Sequence, residues 1–227
     1  MLGRLSRASF VDSRTLSEDG SYALVSDEER TSRRAALNRP HIAPLTTFVQ
    51  TIRAKRGLSN KIPYFDPCDG GINASVLFLL EAPGPQAVNS GFISRDNPDP
   101  SARNFRALLA GSGISRERSV LWNIVPWYIG TGTKIRAAVA SDIEAGTTYL
   151  LPLFALLPGV RAVVLVGRKA QRARSRIEQL SSARIFETLH PSNQVVTCWP
   201  ERRKELEHGL LQVAAFLNLS PNERVHQ

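Results

Sequence analysis

Cysteine is scarce in this chain. Cys68 and Cys198 are the only two in 227 residues, and they lie far apart. No C-x-x-C pair or Cys/His ligand spacing exists, which counts against a zinc or iron–sulfur site. The expectation is two reduced thiols in a cytoplasmic protein that needs no metal and no cofactor. No apolar run approaches the ~20 residues that a membrane span requires. The first residues are rich in Arg and Ser but lack an apolar core, so no secretory signal is expected. A G-x-S-x-G elbow and a Gly-rich phosphate loop are also missing, which argues against an α/β hydrolase or a nucleotide-binding protein. Negative charge is in short supply too: 20 Asp and Glu face 29 Lys and Arg, a net charge of +9. Such a surplus points to a polyanionic partner. Nucleic acid comes ahead of a membrane surface, because no strongly apolar amphipathic helix accompanies the charge.

What is present is ordinary globular composition, 42% hydrophobic and 22% charged, at a length that suits one α/β domain. Residues 1–40 read as an N-terminal arm or helical layer, 41–220 as the main domain and 221–227 as a polar tail. Ser26 and Glu29 have capping-box spacing and open a short helix that ends before Pro40. A second helix starts near Pro44, buries Leu45, Phe48, Val49 and Ile52 on one face, and stops at Gly57 behind Arg53, Lys55 and Arg56. Residues 60–71 read as a loop. Four apolar runs follow that read as buried parallel strands: 75–81, 119–125, 161–166 and 184–189. Between them lie a long aperiodic loop over 82–100, a helix over 101–110, and a helix opened by a Ser141–Glu144 capping box and kinked at Pro152. A very basic helix follows, with Arg168, Lys169, Arg172, Arg174 and Arg176. A last helix after Pro200 carries Leu206, Leu210, Val213 and Leu217 on one face. Repeated β-α units imply a parallel sheet covered on both faces.

Three of these strands carry a polar residue at or near the carboxyl end: Glu81, Asn123 and His190. Ligands of open α/β sheets bind at that edge. Each residue, taken alone, has a plain structural explanation: a strand that ends in Glu, an Asn bonded to backbone, a His that caps a loop. Together they suit a pyrimidine flipped out of DNA. An Asn amide offers a donor beside an acceptor, the complement of uracil O4 and N3–H and a mismatch for cytosine. A His donor stabilises the charge that collects on uracil O2 as the glycosidic bond breaks. A carboxylate orients water or stabilises the sugar cation. Phe92, in the long loop, is a candidate stacking face for the base.

Leu80-Glu81-Ala82-Pro83-Gly84, Gly91-Phe92, Trp122-Asn123-Ile124-Val125 and His190-Pro191-Ser192 resemble, in order, the motifs of the uracil-DNA glycosylase superfamily. The first is closest to the Gly-Glu-Ala-Pro-Gly branch, and the likeness extends over roughly residues 62–216. The resemblance implies a single-domain three-layer α/β/α sandwich on a four-stranded parallel sheet. It implies a monofunctional DNA repair enzyme that removes uracil and leaves an abasic site, acting as a monomer on uracil-containing DNA. Catalysis would fall to Glu81 and His190, and base and phosphate binding to Gly84, Phe92, Asn123 and Ser192. The loop over 192–196 would enter the duplex, Val195 and Val196 as an apolar wedge, Asn193 and Gln194 against the orphaned base. Arg172, Arg174 and Arg176 would bind phosphates, with Arg168, Arg202 and Arg203 as further candidates. The chain also departs from its relatives. Leu80 replaces the leading Gly, and the branch's four cluster cysteines are absent. Ala82 stands where the best-known members have an Asp, and Gly84 near the place of a Tyr that blocks thymine. Water activation is therefore expected from Glu81, with Asp96 and Asp99 as substitutes. A catalytically weak binder of uracil-containing or damaged DNA with the same fold is the competing expectation.

Overall fold

A computed structural model describes residues 22–58, 61–131 and 134–218. Most of the N-terminal arm and the polar tail lie outside the described residues. The central sheet has four parallel strands: β2 (Val76–Leu80), β4 (Ser119–Asn123), β5 (Ala162–Val166) and β6 (Arg184–Thr188). Their order is β4-β2-β5-β6. Val76, Leu77, Phe78 and Leu79 are fully buried, as are all residues of β5. Side chains alternate between the two faces of a strand, so an unbroken buried run means that both faces are covered. This is the single α/β domain expected, with layers of helix on either side of the sheet. Each buried Val, Leu or Phe among them contributes about 1.5–3 kcal/mol relative to exposure.

The helices begin and end for local reasons. Ser26 Oγ accepts the Glu29 N–H, and α1 (Asp27–Ala35) follows. Pro44 sits in the first turn of α2 (Ala43–Arg56), which closes at Gly57. Asp99 Oδ1 accepts the Ala102 N–H at 2.9 Å and caps α4 (Pro100–Ser112). The last helix, α9 (Pro200–Asn218), buries Leu206, Leu210, Val213 and Leu217, and packs on β6 and α4.

Three local expectations are corrected. The stretches read as loops contain a second, two-stranded parallel sheet, β1 (Tyr64–Phe65) beside β3 (Phe92–Ile93), and a short helix, α3 (Pro85–Ser90). Two-residue strands have no period to detect. The helix expected from Ser141 starts earlier and is divided, α5 (Ala140–Thr147) then α6 (Leu150–Ala155). Asp142, rather than Glu144, turns back to accept the Val139 N–H at 2.9 Å. The break precedes Pro152. A proline ring clashes with the carbonyl four residues back, but it fits a first turn, so the chain restarts at Leu150. The basic segment is likewise split, into α7 (Arg168–Gln171) and α8 (Arg174–Leu180).

A buried ionic cluster that periodicity does not reveal ties the N-terminal helix to this body. Arg33 of α1 pairs with Asp66 and, at 2.6 Å, with Asp96. Arg116 pairs with Asp66 at 2.7 Å, Asp96 at 2.8 Å and Asp69 at 3.0 Å. Arg106 of α4 also pairs with Asp96. Arg95 bonds Ser119 Oγ at 2.7 Å and lies 3.5 Å from Asp69. Burial alone would lower Arg33 and Arg116, but the surrounding aspartates outweigh it and hold both above the usual arginine value. Asp96 is held below its ordinary value: burial acts upward, and Arg116 and Arg33 overcome it.

Candidate active site

Asn123 ends β4, in register with Leu80 on β2. The Ile124 N–H donates to Leu80 O at 2.8 Å and the Val125 N–H to Glu81 O at 2.9 Å, so the Asn and Glu positions are locked side by side. Strand alternation then sets direction. Trp122 turns into an aromatic stack with Phe65, ring centroids 4.0 Å apart and nearly parallel at 9°. Leu121 and Asn123 turn the other way, into a cavity of about 420 Å³ at the carboxyl edge of the sheet. Leu80, Glu81, Ala82, Pro83, Gly84, Asp99, Phe105, His190 and Pro191 also line it. Glu81, Asn123 and His190, expected from three separate strands, therefore share one cavity.

Asn123 is only 3% exposed, and its amide nitrogen has no hydrogen-bond partner among the described residues. A buried donor left in this state costs about 1–3 kcal/mol. The neighbouring strand cannot relieve it, because the ladder already uses that backbone.

His190 follows β6. Asn104 Nδ2 of α4 donates to Pro191 O at 3.2 Å and fixes the loop. Gly167, after β5, lies against the imidazole residue: its φ is +83°, and a Cβ there would come 3.2 Å from His190 Cβ. A side chain at 167 would be strained and would push His190 from its place. Burial lowers the His190 pKa below 6.5, although Glu81 and Asp99 pull it upward. Burial thus favours the neutral ring, which keeps one N–H to donate.

Two carboxylates flank it. Glu81 Oε1 accepts the Ala138 N–H at 2.6 Å, and Lys169 Nζ donates to Ala138 O at 2.7 Å. These bonds hold the segment from Ile135 to Ala138 as a strap along the cavity, which Ile135, Arg136 and Ala137 line. Asp99 caps α4 and faces the cavity. Burial raises its pKa, against the Ala102 and Ser101 N–H groups and His190. Asp96 is committed to the ionic cluster instead.

Other expected residues fall elsewhere. Phe92 is fully buried and does not line the cavity. Pairing with Tyr64 fixes the parity of β3, so Ile93 faces the cavity and Phe92 turns away. Apolar faces of the cavity wall come from Ile93, Phe105 and Pro191 among others. Gly84 lines the cavity with no atom within 4 Å of where its Cβ would lie, so nothing fills that side. Ser192 Oγ accepts the Val195 N–H at 3.3 Å, opening a π turn over Gln194–Cys198. The turn leaves Asn193 and Gln194 exposed, buries Val195 and half-buries Val196. The two valines are thus core residues and not a free wedge.

The arginines also divide. Arg172 lines a second, smaller cavity of about 340 Å³ with Arg168, Lys169, Gly167, Glu81 and His190. Arg174 is ion-paired with Glu187 at 2.9 Å and Glu178 at 3.0 Å. Arg176 bonds Gln179 at 3.2 Å. Arg203 pairs with Glu207 at 2.8 Å. The strap, and the cations at 168 and 169 beside Glu81, carry no local signal that ties them to the site. Only the tertiary fold brings them there.

An open parallel sheet that collects an amide, an imidazole and two carboxylates around one cavity at its carboxyl edge defines a ligand site of the α/β class. The chain belongs to the uracil DNA glycosylase superfamily, whose family model matches residues 67–209, more than half of its length. No curated protein matches it. Membership brings DNA as the partner and a glycosylase type of activity in general. Among the described residues no helix is long and apolar enough to cross a membrane.

Proposed function

We propose that this protein hydrolyses the N-glycosidic bond of uracil in DNA and leaves an abasic site. The observation that carries this reading is the unpartnered Asn123 amide nitrogen, buried at the wall of the cavity beside Glu81 and His190. A donor held there matches uracil O4, and the amide oxygen beside it matches N3–H. Cytosine would set donor against donor. The site cannot be reached inside a duplex, so the nucleotide is extruded first.

Neutral His190 donates to O2 as negative charge collects there. The two carboxylates divide the remaining work. Asp99, which lines the cavity and whose carboxyl burial pushes above its ordinary value, is our candidate base for activating water. Glu81 is the sugar-cation partner, and through Ala138 it also fixes the strap. Arg168 and Arg172, exposed in the smaller cavity on the far side of Glu81 and His190, are placed for the phosphate beside the reacting sugar. Arg174 is spent on Glu187 and Glu178, whereas Arg176 bonds only the neutral Gln179 and keeps its charge for a phosphate. Asn193, whose Oδ1 accepts from Thr197, and Gln194 are exposed and are our candidates to meet the orphaned base.

The test is an oligonucleotide with one uracil, incubated with the protein and then treated with alkali. Strand cleavage at the uracil position supports the reading. A retained, uncleaved complex would instead make the protein a binder of such DNA. Substrates with a thymine mismatch, hypoxanthine or xanthine, run in parallel, define the lesion range.

A further inference from the structure

We infer that Trp199, on the loop that follows His190-Pro191-Ser192, is a stacking platform for an unstacked DNA base, an inference that rests on the DNA-directed reading above. Trp199 is 38% exposed, whereas Trp122 and Trp127 are 1% and 5% exposed. It is the only exposed aromatic residue among those described. Its position is the junction between the π turn over Gln194–Cys198 and α9, a few residues past His190-Pro191-Ser192. Asn193, Gln194, Thr197 and Cys198 around it are exposed as well.

The junction is held firmly. The Val196 N–H donates to Ser192 O and the Arg203 N–H to Trp199 O, both at 3.0 Å. Thr197 Oγ1 bonds Asn193 Oδ1 at 3.1 Å. The Arg202 guanidinium carbon lies 4.6 Å from the centre of the indole ring, and Arg202 pairs with no carboxylate among the described residues. One face of the indole is thus covered by a cation whose charge is unspent, and the ring as a whole still meets solvent. Burial of Val195 also removes the apolar wedge expected in this loop. Trp199 is the large apolar surface that the same loop presents in its place.

An aromatic ring stacks on any base that shows a face, whatever its identity. A fully paired duplex hides those faces. Extruding a nucleotide exposes them, on its neighbours and on the unpaired partner, and single-stranded DNA exposes them everywhere. The partner is therefore DNA with unstacked bases, with Arg202 beside the ring to meet the phosphate that accompanies such a base.

Trp199 can be watched directly, because the other two tryptophans are buried. The full chain is titrated with single-stranded DNA free of uracil, with a uracil-containing duplex and with a matched duplex, while the red edge of tryptophan emission is followed. The first two should quench it and the matched duplex should not. Trp199→Ala should lose the quenching and bind single strands about tenfold more weakly. Trp199→Phe should restore the affinity without the signal, and both variants should keep the wild-type unfolding midpoint. Equal quenching by the matched duplex, or full-strength binding of single strands by Trp199→Ala, overturns the inference. If uracil is released while Trp199 does not respond, this inference alone fails. If single strands quench Trp199 but no uracil is released, the glycosylase reading fails and the stacking surface stands.

Discussion

The two ends of strand β4 place buried polar groups under opposite rules. At its first residue, Ser119 meets Arg95, and Arg95 and Arg116 lead into a cluster with Arg33, Asp66, Asp69 and Asp96. There the buried charges find opposite charges inside the fold. At its last residue, Asn123 is buried just as deeply, yet its amide nitrogen finds no partner. Both ends bear the cost of removing polar groups from water. The first offsets most of it with opposite charge and so contributes structure, although Asp69 and the Nε atoms of Arg95 and Arg116 make no hydrogen bond there. The second leaves a donor open at the wall of the cavity, where a ligand can supply the missing acceptor.

The largest expected effect breaks the charge-paired end. Asp66→Ala strips Arg33 and Arg116 of a shared carboxylate and leaves their charges buried. Such a loss costs about 3–5 kcal/mol, or roughly 6–20 °C in unfolding midpoint for a chain of this size. A change near zero in thermal melting would show that the cluster is incidental. At the open end, Asn123→Asp replaces the donor with a second acceptor opposite uracil O4. Uracil release should fall at least about hundredfold with little change in melting; unchanged release would remove Asn123 from the reading of the base. Next comes His190→Ala, which should slow excision by about hundredfold while DNA affinity moves only a few-fold. Equal losses in both would mean that the ring positions DNA and does not act on O2.

The smallest effect sharpens the comparison through pH. Burial raises the Asp69 carboxyl to about 6, with Arg95 and Arg116 pulling it down. Between an ordinary 3.8 and that value, the folded protein holds a proton that the unfolded chain has released. Stability from this group is therefore largest at low pH, falls as pH rises through that window, and is level above it. In melts from pH 4 to 6.5, the wild type should lose stability relative to Asp69→Asn. Parallel curves would show that Asp69 is not the titrating member of the cluster.

Much of the fold was legible because its determinants are local. An apolar run between breakers reads as a buried strand whatever surrounds it, and Ser26, Pro44 and Gly57 mark helix ends by their own chemistry. The site was legible in part for the same reason, since parallel strands bring their carboxyl ends to one edge and Glu81, Asn123 and His190 sit at those ends. Phe92 was not legible. Its direction depends on the parity of a two-residue strand, and that parity is set by Tyr64, far away in sequence. Val195 and Val196 read as a wedge because apolar residues in a loop look free until the π turn folds them inward. The arginines of 168–176 read as one basic face, but only their neighbours in space decide which are spent on carboxylates.

The sequence by itself determined the four strands of the central sheet, most helix ends and the three polar residues at the sheet edge, because hydrophobic period and capping act over a few residues. Tertiary structure alone decided that Asp66, Asp69 and Asp96 hold arginines rather than activate water. It also decided that Asp99 reaches the cavity, that Glu81 holds a strap, and that Trp199 is left in solvent. Those outcomes depend on contacts between residues tens of positions apart. Whether a buried polar group is satisfied is a property of its surroundings and not of its type.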